Sequence, residues 1–371
     1  MKRLLLFVCI TLAVACQSRV LSGGAWDPGV RNELSKLIQS HSGDDAYAVF
    51  DFDKTSIVHD ISQALWVYQV EHLRFADAPS HAFLDGIPDP EKRIGQESFA
   101  DFGAVLKEEF GQLSALLSQG MPLEEIHAME TYLDFRARMA FLLEHMDDAP
   151  GSGISYLWMP GLLTGYTEKE ARALVRDAVQ DQLGKEKLAV EWWESPDGAF
   201  RTPVERGIFF SDEMKELYAV LSAAGITTYV CSASLELIVE ELACDPELGV
   251  GLPPERVFGL RFVPGEALAA VFDPDYAQPI KEGKVACINA NIAPLHGGVG
   301  PVLVGGDSNG DVAMLTAYPE MVHGLIIDVG RSPETAIGQL ALQAHSEENK
   351  GRYLLQPAFA VAAGELEGGG V

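Results

Sequence analysis

The run AYAVFDFD, Ala46 to Asp53, is continuously apolar up to Asp51 and then carries a second carboxylate two positions on. Thr, Ser and a helical spacing of apolar residues from Ile61 to Phe75 follow it. An unbroken short apolar run of this kind predicts a buried strand, here one with an acidic tip that feeds a helix. Between Phe99 and Gly184 most segments keep helical periodicity, as in ADFGAVLKEEFGQLSALL and EEIHAMETYLDFRARMAFLLEHM. Gly and Pro break the chain near DDAPGSG and WMPGLL. A separate helical module is expected there.

From Ile208 the texture becomes alternating. Helices are expected over Asp212 to Ala223, Leu235 to Cys244 and Lys281 to Ile292, with another after Gly305; strands are expected over Ile226 to Cys231, Val257 to Phe262, Pro301 to Gly305 and Gly324 to Val329. Such alternation predicts an α/β fold with a parallel sheet and helices on both faces. The boundaries implied are a core of residues 16–60 and 205–350, an insertion of residues 61–204 and a flexible tail of residues 351–371 ending in GELEGGGV. No internal repeat is present.

Of the 371 residues 47% are hydrophobic and 22% charged, enough for one domain with a substantial insertion. Acidic side chains outnumber basic ones 54 to 27, for a net charge of −27. That surface repels nucleic acid and polyphosphates and favours cationic or zwitterionic ligands.

The first residues, MKRLLLFVCITLAVACQS, set Lys2 and Arg3 before an apolar run from Leu4 to Ala15 that is too short to span a bilayer. Residues 1–15 therefore read as a signal peptide, and the chain as exported. Ala13 to Cys16 resembles a bacterial lipobox, although Leu usually stands where Ala13 is; a lipidated Cys16 would anchor a periplasmic lipoprotein, whereas cleavage after Ala15 alone would free a soluble protein. Beyond Cys9 and Cys16 only Cys231, Cys244 and Cys287 remain, an odd number without metal-ligand spacing, so no disulfide framework is expected. Cys231 ends ITTYVC and reads as a buried apolar residue.

Open α/β sheets bind ligands beyond the carboxyl ends of their strands. Two acidic pairs fall there: Asp51 and Asp53 after the first strand, and Asp307 and Asp311 in GGDSNGD after PVLVGG. Four carboxylates converging on one crevice would repel unless a hard cation neutralised them, and an all-oxygen set favours Mg²⁺.

With VFDFDKTS matching DxDxT, the chain resembles the haloacid dehalogenase superfamily, and the other motifs can be placed in order. Ser232 in TTYVCSAS ends an apolar strand, Lys284 in EGKVACI stands 23 residues before Asp307, and GGDSNGD supplies the final acidic pair. The resemblance implies a Rossmann-like core with a helical cap inserted between the first two motifs. It also implies a Mg²⁺-dependent phosphatase in which Asp51 is the covalent nucleophile and Asp53 the general acid and base. Mg²⁺ would be held by Asp51, the Asp53 carbonyl and Asp307, with Asp311 steadying its waters or Lys284, while Ser232 and Lys284 grip the phosphoryl oxygens; Lys281 is the other lysine in reach of that role. Phosphoserine phosphatases carry Asn immediately before the last Asp, whereas Gly310 holds that place here and Asn309 precedes it. Ser234 is expected to cap the helix at Leu235.

The substrate implied is a small phosphomonoester. The texture TSIVHDISQALWVYQVEHLRF and the TGYT segment at Thr164 resemble bacterial exported phosphorylcholine phosphatases. Trp66, Tyr68, Trp158, Tyr166, Trp192 and Trp193 offer rings that could cage a quaternary ammonium or simply pack. Asp60 stands where phosphoserine phosphatases carry a Glu that reads the substrate ammonium, and Arg138 resembles their carboxylate-holding Arg, with Arg136 the alternative. An amino-acid phosphate is the second candidate substrate, and a non-catalytic surface lipoprotein that kept the fold is the rival class.

Overall fold

The computed structural model describes residues 20–76, 84, 87, 89–146, 155–349 and 351–359. The expected leader, Cys16 and the DDAPGS stretch lie outside these residues. Helix α1 (Pro28–Ser40), capped by Asp27, leads into β1 (Tyr47–Phe50). The insertion then runs through α2 (Ile61–His72), β2 (Arg93–Ile94), β3 (Glu97–Ser98), α3 (Phe99–Ser118), α4 (Leu123–His127), α5 (Glu130–Met146), α6 (Ser155–Gly161), α7 (Glu168–Gln182), β4 (Ala189–Glu194) and β5 (Arg201–Arg206). The chain returns through α8 (Asp212–Ala223), β6 (Thr227–Leu235), α9 (Glu236–Ala243), β7 (Val257–Leu260), α10 (Glu282–Cys287), β8 (Leu303–Gly306), α11 (Val312–Ala317), β9 (His323–Asp328), α12 (Ala336–Gln343) and β10 (Tyr353–Pro357).

The main sheet has the order β10-β9-β8-β1-β6-β7, and every neighbouring pair is parallel. From β1 the chain builds outward on one side through β6 and β7 and then crosses to the other through β8, β9 and β10. The tips of β1, β6 and β8 therefore meet at a topological switch point, where α/β sheets form their ligand crevice. Successive β1 side chains face opposite layers: Ala48 and Phe50 join one buried cluster, Tyr47 and Val49 the other. Both faces are covered, which is why β1 reads as an unbroken apolar run.

The cap has its own core, in which Phe102, Leu106, Phe110 and Leu113 of α3 meet Phe135, Met139 and Leu142 of α5 and Trp193 of β4. Helix α2 serves two cores: Ile61, Ala64, Leu65 and Tyr68 pack into the sheet domain and Trp66, Val67 and Val70 into the cap. A helix buried on all sides shows no polar stripe. The insertion departs from a purely helical module in two ways. It contains two small antiparallel hairpins, β2-β3 and β4-β5. Helix α7, in addition, lays Ala171, Leu174, Val175, Ala178 and Val179 into the core cluster and fastens Arg172 to Glu240 and Glu241 of α9 at 2.7 and 3.1 Å. That i, i+3, i+4, i+7, i+8 stripe is what seats it.

Two further expectations change. The helix beginning near Lys281 is α-helical only to Cys287, continuing as a π turn over Ile288–Ile292 and a 3-10 turn over Ala293–His296; Pro294, without an N–H, cannot prolong the ladder. The core also does not stop at residue 350. β10 pairs with β9 in parallel, Phe359 meets Trp26 edge-on at 4.9 Å, and Gln356 exchanges hydrogen bonds with Ala25 and Asp27 ahead of α1. A five-residue edge strand with only three consecutive apolar residues, Tyr353 to Leu355, is too short to declare itself in sequence. No described helix is long and apolar enough to cross a membrane.

Tyr353, Leu354 and Phe359 are each 6% exposed; burying side chains of this size is worth roughly 1.5–3 kcal/mol apiece. Ending the chain after Gly351 should lower the melting temperature by about 10 °C or more or abolish soluble expression. A melt equal to that of the full chain would contradict the assignment of β10 to the core.

Candidate active site

Asp51 directly follows β1, and its N–H donates to the Gly305 carbonyl at 3.0 Å, locking it to the tip of β8. Close approach here requires glycine: a Cβ on Gly305 would lie 2.4 Å from the Phe50 ring and one on Gly306 would lie 2.4 Å from Asp311 Cβ. Beyond Asp51 the chain turns sharply. The Phe52 carbonyl accepts from Ser56 at 2.8 Å and Ile57 at 3.1 Å, and the Ser56 hydroxyl donates to the Asp51 carbonyl at 2.6 Å while meeting the Tyr218 hydroxyl at 2.8 Å. Lys54 and His59 hold left-handed φ values of 57° and 60°, joined by a bond from Lys54 N–H to the His59 carbonyl. Non-glycine residues in that region are strained and collect at functional sites.

The same turn grips the returning cap strand. Lys54 pairs with Glu205 at 2.7 Å, and the His59 ring lies 3.1 Å from the carbonyls of both Arg206 and Gly207. Asp60 caps α2 by accepting from Gln63 N–H at 2.9 Å, so the residue expected to read an ammonium also starts the cap helix. Asp53 accepts from Ile61 N–H at 2.8 Å through Oδ1 and from the Ser234 hydroxyl at 2.6 Å through Oδ2.

Strand β6 supplies Ser232 and Ser234 through an irregularity: Cys231 pairs with Phe258 but Leu235 with Leu260, so residues 232–234 leave the ladder. Ser232 is fully buried, and its Oγ accepts from Ser234 N–H at 3.0 Å. Ser234 does not cap α9, as the sequence led us to expect; the cap position is Leu235, without a side-chain bond. The Ser234 hydroxyl is committed to Asp53.

Lys284, not Lys281, reaches the carboxylates, lying 2.5 Å from Asp51 Oδ1 and 2.6 Å from Asp311 Oδ1. The other Asp311 oxygen accepts from the N–H groups of Asp307 and Ser308 and from the Ser308 hydroxyl. Asp307 accepts from Arg331 at 2.8 Å, and Thr55 stands at long range between Asp307 at 3.4 Å and Asp51 at 3.5 Å. Arg331 carries no motif in the sequence; its one signal is its place three residues beyond the end of β9. Asn309 accepts from Ile337 N–H at 2.9 Å, fastening the loop to α12.

Electrostatics follow from crowding. Burial, then Asp311, raise Asp51 well above the carboxylate range against the pull of Lys284. Burial, then Asp60, push Asp53 up to about 8, and burial with Asp311 brings Asp307 to about 6. Burial works against the Lys284 ammonium, but Asp311 and Asp51 outweigh it and raise its pKa. Oxygens of Asp51, Asp307 and Asp311 come within 4.8 Å of one another. Among the described residues, Asp51, Asp53, Asp307 and Asp311 form direct ion pairs with Lys284 and Arg331 alone, with Lys54 acting on Asp307 from farther off, which leaves negative charge that a divalent ion with oxygen ligands would neutralise. The donor set fits Mg²⁺, for which Asp51 and Asp307 would be the available carboxylate ligands; Asp311 is saturated by Lys284 and three donors, and both Asp53 side-chain oxygens are engaged elsewhere.

The cap candidates sit differently. Arg138 is bound to Asp134 at 2.6 Å and Glu97 at 3.1 Å and lies 4.5 Å over Phe200, all partners inside the cap. Arg136 stacks over Tyr132 and Trp193. Trp66, Trp158 and Trp193 are buried in the cap core, Trp66 and Trp193 in tilted contact with centroids 5.2 Å apart, and exposed Trp192 is covered by Arg201. These rings pack and do not form a cage.

A family model for haloacid dehalogenase-like hydrolases matches residues 153–316, which include Ser232, Lys284, Asp307 and Asp311. A curated relative, a phosphorylcholine phosphatase from Pseudomonas aeruginosa, is 26% identical over 235 residues, covering 63% of this chain and 54% of its own; the chain thus spans about half the length of that relative. A crystal structure of a protein of unknown function from Anaerococcus prevotii is 30% identical, covers 90% of this chain and 93% of its own, and superposes with a TM-score of 0.79. With the sheet order, three motifs at the strand ends, the lysine on α10 and these likenesses together, the chain belongs to the haloacid dehalogenase-like hydrolases.

Proposed function

We propose that the chain is a Mg²⁺-dependent phosphomonoesterase working through an aspartyl-phosphate on Asp51, with phosphorylcholine or a similar small ammonium-bearing phosphomonoester as substrate. The observation that carries the reading is the placement of Asp51 beside a separately held second carboxyl, Asp53, with one lysine fixing the first and a serine the second. A binding module needs no nucleophile beside its own acid.

Lys284 holds Asp51 Oδ1, leaving Oδ2 as the attacking oxygen. Attack on phosphorus breaks the ester bond; Asp53 gives its proton to the departing alkoxide, then takes one from the water that cleaves the acyl phosphate, regenerating Asp51. Ser232 and Lys284 face the charge that gathers on the phosphoryl oxygens. Bound Mg²⁺ would supply charge neutralisation at the phosphoryl group. Pre-placed donors act at the crowded stage, which is where binding energy accelerates a reaction.

The choline reading is supported by the Pseudomonas relative, by the Asp60 carboxylate at the joint of cap and core, and by the net charge of −27. Ring caging does not support it, so selectivity is expected to be carboxylate-borne. An amino-acid phosphate is disfavoured because Arg138 is already neutralised by Asp134 and Glu97.

Two outcomes follow. Asp53→Asn should lose about 10²-fold or more in kcat/KM on alkyl phosphates and much less on 4-nitrophenyl phosphate, whose leaving group departs without a proton; equal losses would remove Asp53 from acid catalysis. Phosphorylcholine should be hydrolysed with kcat/KM on the order of tenfold to a hundredfold above ethyl phosphate, and Asp60→Ala should erase most of the preference. Parity between the two substrates in the wild-type protein would defeat the choline reading while leaving the phosphatase intact.

A further inference from the structure

Asp53 is held by a chain of hydroxyls that crosses from cap to core. Ser62, in the first turn of α2, donates to Ser234 Oγ at 2.9 Å, and Ser234 donates to Asp53 Oδ2 at 2.6 Å. Both serines are buried, at 8% and 7% exposure. The opposite oxygen, Oδ1, accepts from Ile61 N–H, a group that can only donate. Ile61 and Ser62 are consecutive, so the start of one helix fixes both ends of the carboxyl.

We propose that Ser234, aligned by Ser62, is a positioning residue that aims the Asp53 proton at the leaving group; the proposal rests on the phosphatase reading above. A serine hydroxyl has one proton to give and can otherwise accept. If Ser234 accepted from Asp53, the acid's proton would be absorbed into the protein. The bond arriving from Ser62 turns the Ser234 proton toward Oδ2, and the Ile61 N–H occupies Oδ1, so the carboxyl proton is left to point into the crevice. As Asp53 yields that proton to the alkoxide, its Oδ2 becomes anionic and the Ser234 bond becomes charge-assisted, roughly twice as strong as its neutral counterpart. The stabilisation therefore grows along the reaction coordinate instead of being present from the outset. In the second half, when water is deprotonated, the same bond holds the carboxylate facing it.

The test compares wild type, Ser234→Ala, Ser234→Thr and Ser62→Ala, all as Mg²⁺-loaded full chains, on phosphorylcholine and ethyl phosphate and on 4-nitrophenyl phosphate, with thermal melts alongside. Ser234→Ala should lose about tenfold or more in kcat/KM on the alkyl esters and no more than about threefold on the nitrophenyl ester. Ser234→Thr, which keeps the hydroxyl, should recover most of the loss. Ser62→Ala should show the same split at smaller size, with a wild-type melt, which keeps the idea testable if Ser234→Ala folds poorly. Equal losses on both kinds of ester, or no loss with either alanine variant, would overturn the positioning role while the phosphatase stands. Should the wild-type protein hydrolyse none of these esters, the phosphatase reading fails and takes this role with it.

Discussion

Lys284 is 2% exposed, and its ammonium touches two carboxylates that belong to different strand tips, Asp51 after β1 and Asp311 after β8. Losing one partner of such a buried group leaves uncompensated charge, at a cost of about 3–5 kcal/mol. The lysine thus cross-links the switch point of the sheet from its place on α10. Asp311 passes the constraint on, because its second oxygen gathers the Asp307 and Ser308 amides and so shapes the loop that presents Asp307. Crowding four acids around one directly paired lysine and one directly paired arginine leaves the site short of positive charge, and that deficit is what a divalent ion would fill.

The second constraint runs between core and cap. Helix α2 has no free face: half of it packs against the sheet domain and half against the cap. Its first turn contributes Asp60, Ile61 and Ser62, which cap the helix, bind Asp53 and align Ser234. The left-handed turn before it also holds the return strand of the cap through Lys54 and His59. Placement of the acid and seating of the cap are consequently properties of the same dozen residues.

Much of this was legible in the sequence because the fold advertises itself where burial is complete. Four-residue β1 is buried on both faces and reads as an apolar run; α8 was bounded correctly by Asp212 and Ala223. Asp51, Asp53, Asp307 and Asp311 could be found because residues after strand tips converge by topology, whereas Ser232 and Lys284 were located through the motifs of the family resemblance. What sequence could not show is how a polar side chain chooses among local partners. Ser234 satisfies the pattern of a helix cap yet donates to Asp53, since the irregularity in β6 turns it into the crevice. Arg138 satisfies the pattern of a substrate arginine yet is occupied by cap carboxylates. The tryptophans have the same composition whether caging or packing, and only the three-dimensional neighbours decide. β10 escaped because a short edge strand differs little from a loop in periodicity.

On the mechanism we propose, Asp51 becomes covalently phosphorylated during turnover. Quenching the Mg²⁺-loaded protein on phosphorylcholine with borohydride, which reduces an acyl phosphate to an alcohol, and mapping the peptides by mass should convert the side chain at position 51 to homoserine, only in the presence of substrate and not in Asp51→Asn. Phosphate release at full rate with position 51 unmodified, or reduction at another carboxylate, would contradict the account.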